Sequence, residues 1–126
     1  LKVVTKTNPT AEQLEDAIFA WKVVKYARTN AVVVAKDFKT TAISQGHTNN
    51  VAAIENAMDI ACENSKDAVL ATDEAIITGE CINAAAQGRI SLIIQPGGSI
   101  RDKEVIAAAD KLGIAMVVTG IRNLSF

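Results

Sequence analysis

Apolar residues recur along the chain in two alternating periods. Leu1-Lys2-Val3-Val4-Thr5-Lys6 reads as a strand or arm closed by Asn8-Pro9. From Thr10 the period is helical: Leu14, Ile18, Trp21 and Val24 recur at that spacing with Ala17 beside them, while Glu12, Glu15, Asp16, Lys22 and Lys25 take other faces. Thr10 and Gln13 form a capping box, each able to satisfy an orphan backbone N–H. The spacing predicts a helix ending near Arg28. Ala31-Val32-Val33-Val34-Ala35 is an unbroken, largely β-branched run, which suits a strand buried on both faces. Asp37-Phe38-Lys39 predicts a turn, and Thr40 to Ser44 a returning strand.

The loop Gln45-Gly46-His47-Thr48 leads to a helix whose stripe is Val51, Ile54, Met58 and Ala61. Ala68 to Thr72 predicts a strand, and Thr78 and Gly79 precede an alanine-rich helix ending near Gly88. Ser91 to Gln95 is the next strand, broken by Pro96-Gly97-Gly98. Ser99, with Asp102 three residues on, is expected to cap a helix with Val105, Ala109 and Leu112 on its core face beside Ile106. Gly113 is the expected residue just past its end, and Ala115 to Thr119 the last strand. The order α-β-β-α-β-α-β-α-β predicts one domain over residues 1–126: a three-layer α/β/α sandwich around a five-stranded, mixed but mostly parallel sheet. Ligands of such folds sit at the carboxyl ends of the strands.

Composition narrows the function. The formal net charge is −1, so there is no basic field to hold nucleic acid. Five aromatic residues against 21 alanines favour close helix-on-sheet packing over a base-stacking surface. No apolar run approaches the ~20 residues of a membrane span. Cys62 and Cys81 are too few for a disulfide scaffold and lack metal spacing, which, with no targeting signal, points to the cytoplasm. The first residue is Leu1, so a piece of a longer protein is expected.

Several segments could carry chemistry. In Gln95-Pro96-Gly97-Gly98-Ser99-Ile100-Arg101-Asp102, the glycines let backbone approach a ligand and the following helix offers free N–H groups. A phosphate or carboxylate fits there, with Arg101 adding charge; the plainer reading is a sharp, capped strand-to-helix turn. His47, the one histidine, is a candidate for proton transfer or only a polar loop residue. Asn30, before the most apolar strand, either orients a polar ligand through its amide or caps the preceding helix. Arg122, beyond the last strand, is placed to fork onto a phosphate, or is a solvated tail residue. Asp73, Glu74 and Glu80 could share a proton or bind a cation, or form a charged loop running into a helix start. Zinc deaminase chemistry is excluded, because the chain has neither an H-x-E segment nor a P-C-x-x-C pair.

At these residues the sequence resembles the C-terminal part of the AICAR transformylase domain of the bifunctional purine-synthesis enzyme, AICAR formyltransferase/IMP cyclohydrolase. The match is strongest over Ile94 to Asp102, Glu104 to Asp110 and Gly113 to Val117, running on into Thr119-Gly120 and Arg122. Val3 to Lys6, Phe19 to Lys25, Asn30 to Val33 and Ala35 to Asp37 follow in order. The resemblance implies a cytidine-deaminase-like fold without zinc. It implies formyl transfer from the co-substrate 10-formyltetrahydrofolate to the 5-amino group of AICAR, at sites shared across a homodimer. It assigns Asn30 to catalysis beside the nucleotide, Arg122 to the nucleotide site, and Val51 to the folate side, where Asp73 and Glu80 also fall. The family's lysine–histidine pair belongs to an earlier part of the domain that this chain does not contain.

The chain departs from the family at definite places. The segment G-Q-x-S-R stands here as Gly46-His47-Thr48-Asn49-Asn50, without the arginine. The aromatic D-A-F-F-P-F stands as Asp73-Glu74-Ala75-Ile76-Ile77-Thr78, and Phe38 holds the hairpin glycine position. The closing R-x-F-H-H stands as Arg122-Asn123-Leu124-Ser125-Phe126. Three readings follow. The first is a formyltransferase subdomain, inactive alone, which needs the rest of the transformylase domain. The second is a non-catalytic dimerisation module. The third is a phosphate-ligand binder using Gly97, Gly98 and Ser99. In the third, replacing Gly98 with a β-branched residue abolishes phosphate binding and leaves the fold largely intact, as titration and a thermal melt would show together.

Overall fold

The computed structural model describes residues 1–120. Its strands are β1 (Lys2–Val3), β2 (Val32–Lys36), β3 (Lys39–Ser44), β4 (Val69–Thr72), β5 (Leu92–Gln95) and β6 (Ala115–Val118). Its α-helices are α1 (Ala11–Val24), α2 (Asn50–Ala61), α3 (Gly79–Gln87) and α4 (Asp102–Leu112), with a 3₁₀ turn at Cys62–Ser65. The six strands form one sheet in the order β1-β6-β5-β4-β2-β3.

The three layers are as expected, but the sheet differs in two ways. It has six strands rather than five, because the N-terminal arm pairs antiparallel with β6, Lys2 opposite Val118. Two residues are too few to show a period-2 pattern. The arm is instead held from outside, by Val4 N–H on the Met116 carbonyl and the Met116 N–H on the Thr5 hydroxyl. Nor is the sheet mostly parallel: β2 runs antiparallel to both β3 and β4, and only β4–β5 and β5–β6 are parallel. The β3–α2–β4 crossover passes over β2, so strand–helix–strand alternation was a misleading guide to the neighbours of β4.

Alternation along the strands divides the core. Val33, Ala35, Ala71, Ile94 and Val117 face α1, whose Ala17, Ala20 and Val24 let the helix approach closely. Val32, Val34, Leu70, Ile93 and Met116 face the other way, against Ile54, Ile82 and Val105 of α2, α3 and α4. Val32, Val33 and Val34 are all fully buried, so β2 is covered on both faces as its sequence predicts.

The helix ends carry further corrections. The Thr10–Gln13 capping box is present, but α1 stops at Val24 rather than near Arg28. Gly113 closes α4 in the left-handed conformation. Ser99 does not cap α4 directly: its hydroxyl accepts from Arg101 N–H, and the Asp102 carboxylate accepts the N–H groups of Gly98 and Ser99. Leu112 is 42% exposed rather than part of the core face.

Asp16 is not on a solvent face but 8% exposed, and its two carboxylate oxygens accept from Asp37 N–H (3.1 Å) and Phe38 N–H (3.0 Å). These two residues are the whole loop of the β2–β3 hairpin, and both have positive φ, 54° and 60°. A two-residue loop needs that geometry to match the strand twist, yet it suits glycine and strains phenylalanine. The Asp16 bonds and an edge-to-face contact of Phe38 with Phe19 (6.1 Å) offset the strain. Asp16→Ala is expected to lower stability by about 2 kcal/mol with an unchanged urea m-value, from the loss of two charge-assisted hydrogen bonds. An unchanged urea midpoint would contradict this role for Asp16.

Candidate functional site

Because β2 is antiparallel to β4, the start of β2 lies beside the ends of β3 and β4: Val32 is opposite both Ser44 and Thr72. Three loops therefore converge, 28–31, 45–49 and 73–78. Between them and the first turn of α2 lies a cleft of about 700 Å³. Asn30, Asn50, Val51, Glu55, Glu74 and Glu80 are among its lining residues.

Asn30 is fixed firmly. Its backbone N–H (3.2 Å) and its side-chain Nδ2 (3.1 Å) both donate to the carbonyl of His47. The side-chain bond takes one of the two Nδ2 hydrogens, and Asn30 is itself part of the cleft wall. Asn30 thus neither caps α1, which ends six residues earlier, nor stands free. The contribution of His47 is its carbonyl; its imidazole is not among the groups lining the cleft.

Val51 and Glu80 reach the cleft from the first turns of α2 and α3. Asp73 does not: it is fully buried, and its Oδ1 accepts from Ala31 N–H at 2.8 Å. Asp73, Glu74 and Glu80 thus do not act as one cluster. Among the described residues no group of three or more His, Cys, Asp or Glu side chains is arranged to hold a metal.

The glycine turn also lies elsewhere. Gly97, Gly98 and Ser99 are absent from the cleft wall, and the N–H groups of Gly98 and Ser99 are occupied by Asp102. Gly97 has φ +72°, and a Cβ there would stand 3.1 Å from Val118, so this glycine serves close packing of the turn on β6. The Arg101 guanidinium donates to Glu104 at 2.8 Å, which raises the pKa of the arginine and lowers that of the glutamate. Its charge faces along the helix surface. Arg122 lies outside the described residues.

Sequence reasoning missed Glu55 and Thr78 in the wall. Glu55 follows Val51 by one helical turn, so the i, i+4 rule would have placed both on one face. Gln95, fully buried, fixes the 73–78 loop by accepting Ile76 N–H at 2.9 Å. No local pattern signals that contact.

Comparison with known proteins shows what the chain is similar to. Residues 1–60 match the family described as AICARFT/IMPCHase bienzyme. The chain is 50% identical over 123 residues to the bifunctional purine biosynthesis protein PurH of Acetivibrio thermocellus, covering 98% of this chain and 24% of that protein. It is 49% identical to PurH of Caldicellulosiruptor saccharolyticus (97% and 24%) and 46% identical to that of Dictyostelium discoideum (97% and 22%). The chain is therefore homologous to part of the AICARFT/IMPCHase bienzyme, and spans about a quarter of the length of the curated relatives it matches. In fold it resembles Acinetobacter baumannii RibD, with TM-score 0.54 and 17% identity over 86% of this chain and 34% of that one. It also resembles a diaminohydroxyphosphoribosylaminopyrimidine deaminase/5-amino-6-(5-phosphoribosylamino)uracil reductase of Thermotoga maritima (TM-score 0.51, 18% identity, 84% and 35% coverage). The fold is thus deaminase-like. No helix among the described residues is long and apolar enough to cross a membrane.

Cys81, at the cleft, is buried, and burial pushes its thiol pKa above the ordinary 9.0, with the Thr78 hydroxyl at 3.5 Å opposing it more weakly. A thiol reagent should label exposed Cys62 in the folded protein and Cys81 only after denaturation. Above pH 9.0 the unfolded chain releases the Cys81 proton while the folded chain keeps it, so stability falls as pH rises, and Cys81→Ala removes that part of the fall. Equal labelling of both thiols in the folded state would contradict the assignment.

Proposed function

We propose that this chain supplies one wall of an AICAR formyltransferase active site, in which 10-formyltetrahydrofolate gives its formyl group to the 5-amino group of AICAR. The observation that carries this reading is the meeting of Asn30, Val51 and Glu80 in one cleft. The family resemblance assigns these positions separately to the nucleotide and folate sides.

The chemistry is acyl transfer to a weak amine. The amine nitrogen forms a bond to the formyl carbon, the bond from that carbon to folate N10 breaks, the amine loses a proton and N10 gains one. Asn30 suits the amine side, since an amide oxygen at the cleft wall can accept an amine N–H and so orient the nitrogen. Glu80, which the resemblance puts on the folate side, brings a carboxylate to the same cleft. Among the described residues, Glu55, Glu74 and Glu80 line the cleft without any lysine or arginine, which favours the N–H-bearing ends of both substrates over a phosphate at that wall. On this reading the nucleotide phosphate goes to Arg122, with the Gly97–Ser99 turn as its other candidate partner. Proton transfer falls to the lysine–histidine pair of the rest of the domain, so the isolated chain is inactive. The working enzyme is a cytoplasmic homodimer.

A second reading, a non-catalytic dimerisation or phosphate-ligand module, draws on the departures. Asn50 stands where the resemblance places arginine, and half-buried Ala75 and buried Ile76 replace an aromatic pair. Tight self-association with no nucleotide or folate affinity selects it.

Calorimetric titration of the 126-residue chain with AICAR nucleotide tests the first reading. Saturable binding is expected, lost in Arg122→Ala and weakened roughly five- to tenfold in Asn30→Ala, the scale of one hydrogen bond. No heat at millimolar nucleotide, or equal binding by all three proteins, contradicts a nucleotide site on this segment.

A further inference from the structure

Asp73 is the most anomalous polar residue near the site. Its side chain is fully buried; Oδ1 accepts from Ala31 N–H, and Oδ2 has no hydrogen-bond partner among the described residues. A buried carboxylate with an unpaired oxygen is costly, so what it holds matters. It holds the residue that follows Asn30. The Asp73 N–H also returns to the Ala31 carbonyl at 3.3 Å, so two hydrogen bonds tie the end of β4 to the start of β2.

The other flank of the same segment is tied as closely. Gly46 N–H donates to the Arg28 carbonyl at 3.0 Å, and Arg28 N–H to Gln45 Oε1 at 2.9 Å. The His47 carbonyl receives both donors of Asn30, and the Thr29 hydroxyl donates to Glu74 at 3.1 Å. Residues 28–31 are thus held between two loops, and Asn30, in the middle of that span, is part of the cleft wall. The bond to Asp73, at 2.8 Å, is the shortest of the set and the one whose side-chain acceptor is fully buried.

We propose that Asp73 is a positioning residue for Asn30: by clamping Ala31 it fixes the backbone from which Asn30, at the cleft wall, engages the His47 carbonyl through its amide. Asp73 touches no substrate in this account. The inference deepens the formyltransferase reading, because it gives Asp73 a task within that site. Its geometric core stands or falls without any formyl transfer.

The test is nuclear magnetic resonance of the 126-residue chain, following the Asn30 side-chain NH₂ pair. In the wild type the two protons are expected to be well separated, with the one bonded to His47 shifted away from the values of exposed asparagines. Asp73→Ala should collapse the pair toward exposed values. Asp73→Asn, which keeps an acceptor for Ala31 N–H, should restore most of the separation. Ser65→Ala removes a buried hydroxyl that bonds to Cys62 and Gly88, and should leave the pair unmoved. Hydrogen exchange on the wild type gives a second readout that needs no variant to fold: the Ala31 and Asn30 amides should be protected together and to within about tenfold. An Asn30 pair unmoved in Asp73→Ala, an equal movement in Ser65→Ala, or an Ala31 amide exchanging as fast as exposed loop amides overturns the proposal. A failed nucleotide titration with all of these outcomes as expected would contradict a nucleotide site on this segment and leave the clamp standing.

Discussion

Double-faced burial of β2 is the constraint on which the rest of this structure depends. Its three valines are fully enclosed, facing α1 on one side and the α2–α4 layer on the other. Each buried valine contributes on the order of 1.5–3 kcal/mol of burial free energy, so β2 has little freedom to slip or reverse. A shift of one residue would exchange the two sets of side chains between layers. Its antiparallel pairing to β3 follows from their two-residue hairpin loop and that to β4 from the crossover over β2, and register brings the start of β2 to the ends of β3 and β4. An all-parallel arrangement would put Asn30 at the opposite edge of the sheet from Asp73 and Glu74. The cleft is a consequence of that one reversed strand.

Small side chains make the layers close enough for polar groups to reach across them. The approach of α1 to the sheet through Ala17 and Ala20 lets Asp16 reach the far hairpin, and the Gln95 amide reaches the 73–78 loop from the neighbouring strand end. Such contacts do for the loops what apolar packing does for the strands. They hold irregular backbone in one conformation where a longer core side chain would not fit.

Much of this was legible in the sequence, for identifiable reasons. The capping box at Thr10, the valine run of β2, the glycine after α4 and the three layers each rest on a local pattern, and each is present. Asn30 and Glu80 stand out in the local sequence, as a polar residue before the most apolar strand and an acid at a helix start, and the family resemblance marks both together with Val51. What stayed hidden depends on distant partners. The arm β1 is defined by Val117 and Val118, far along the chain. The direction of β2 relative to β4 depends on which strand fills the gap in a crossover. Asp102 rather than Ser99 collects the N–H groups of the glycine turn, because a carboxylate reaches back further than a hydroxyl. Asp73 and His47 have side chains that suggest direct chemistry, yet one binds backbone in the interior and the other contributes its carbonyl.

Several departures from the family pattern line the cleft, at Asn50, Ala75, Ile77 and Thr78, whereas Asn30 is held through the His47 carbonyl, which any residue there supplies, and Ala31 through Asp73, which the pattern keeps. The central claim is that this wall still serves formyl transfer. It is tested most directly by grafting residues 1–126 in place of the matching quarter of Acetivibrio thermocellus PurH and measuring formyl transfer to AICAR. The account predicts a folded chimera that turns over, with Asn30→Ala reducing kcat by at least about tenfold. A folded chimera with no turnover, or one whose turnover is indifferent to Asn30, would contradict it.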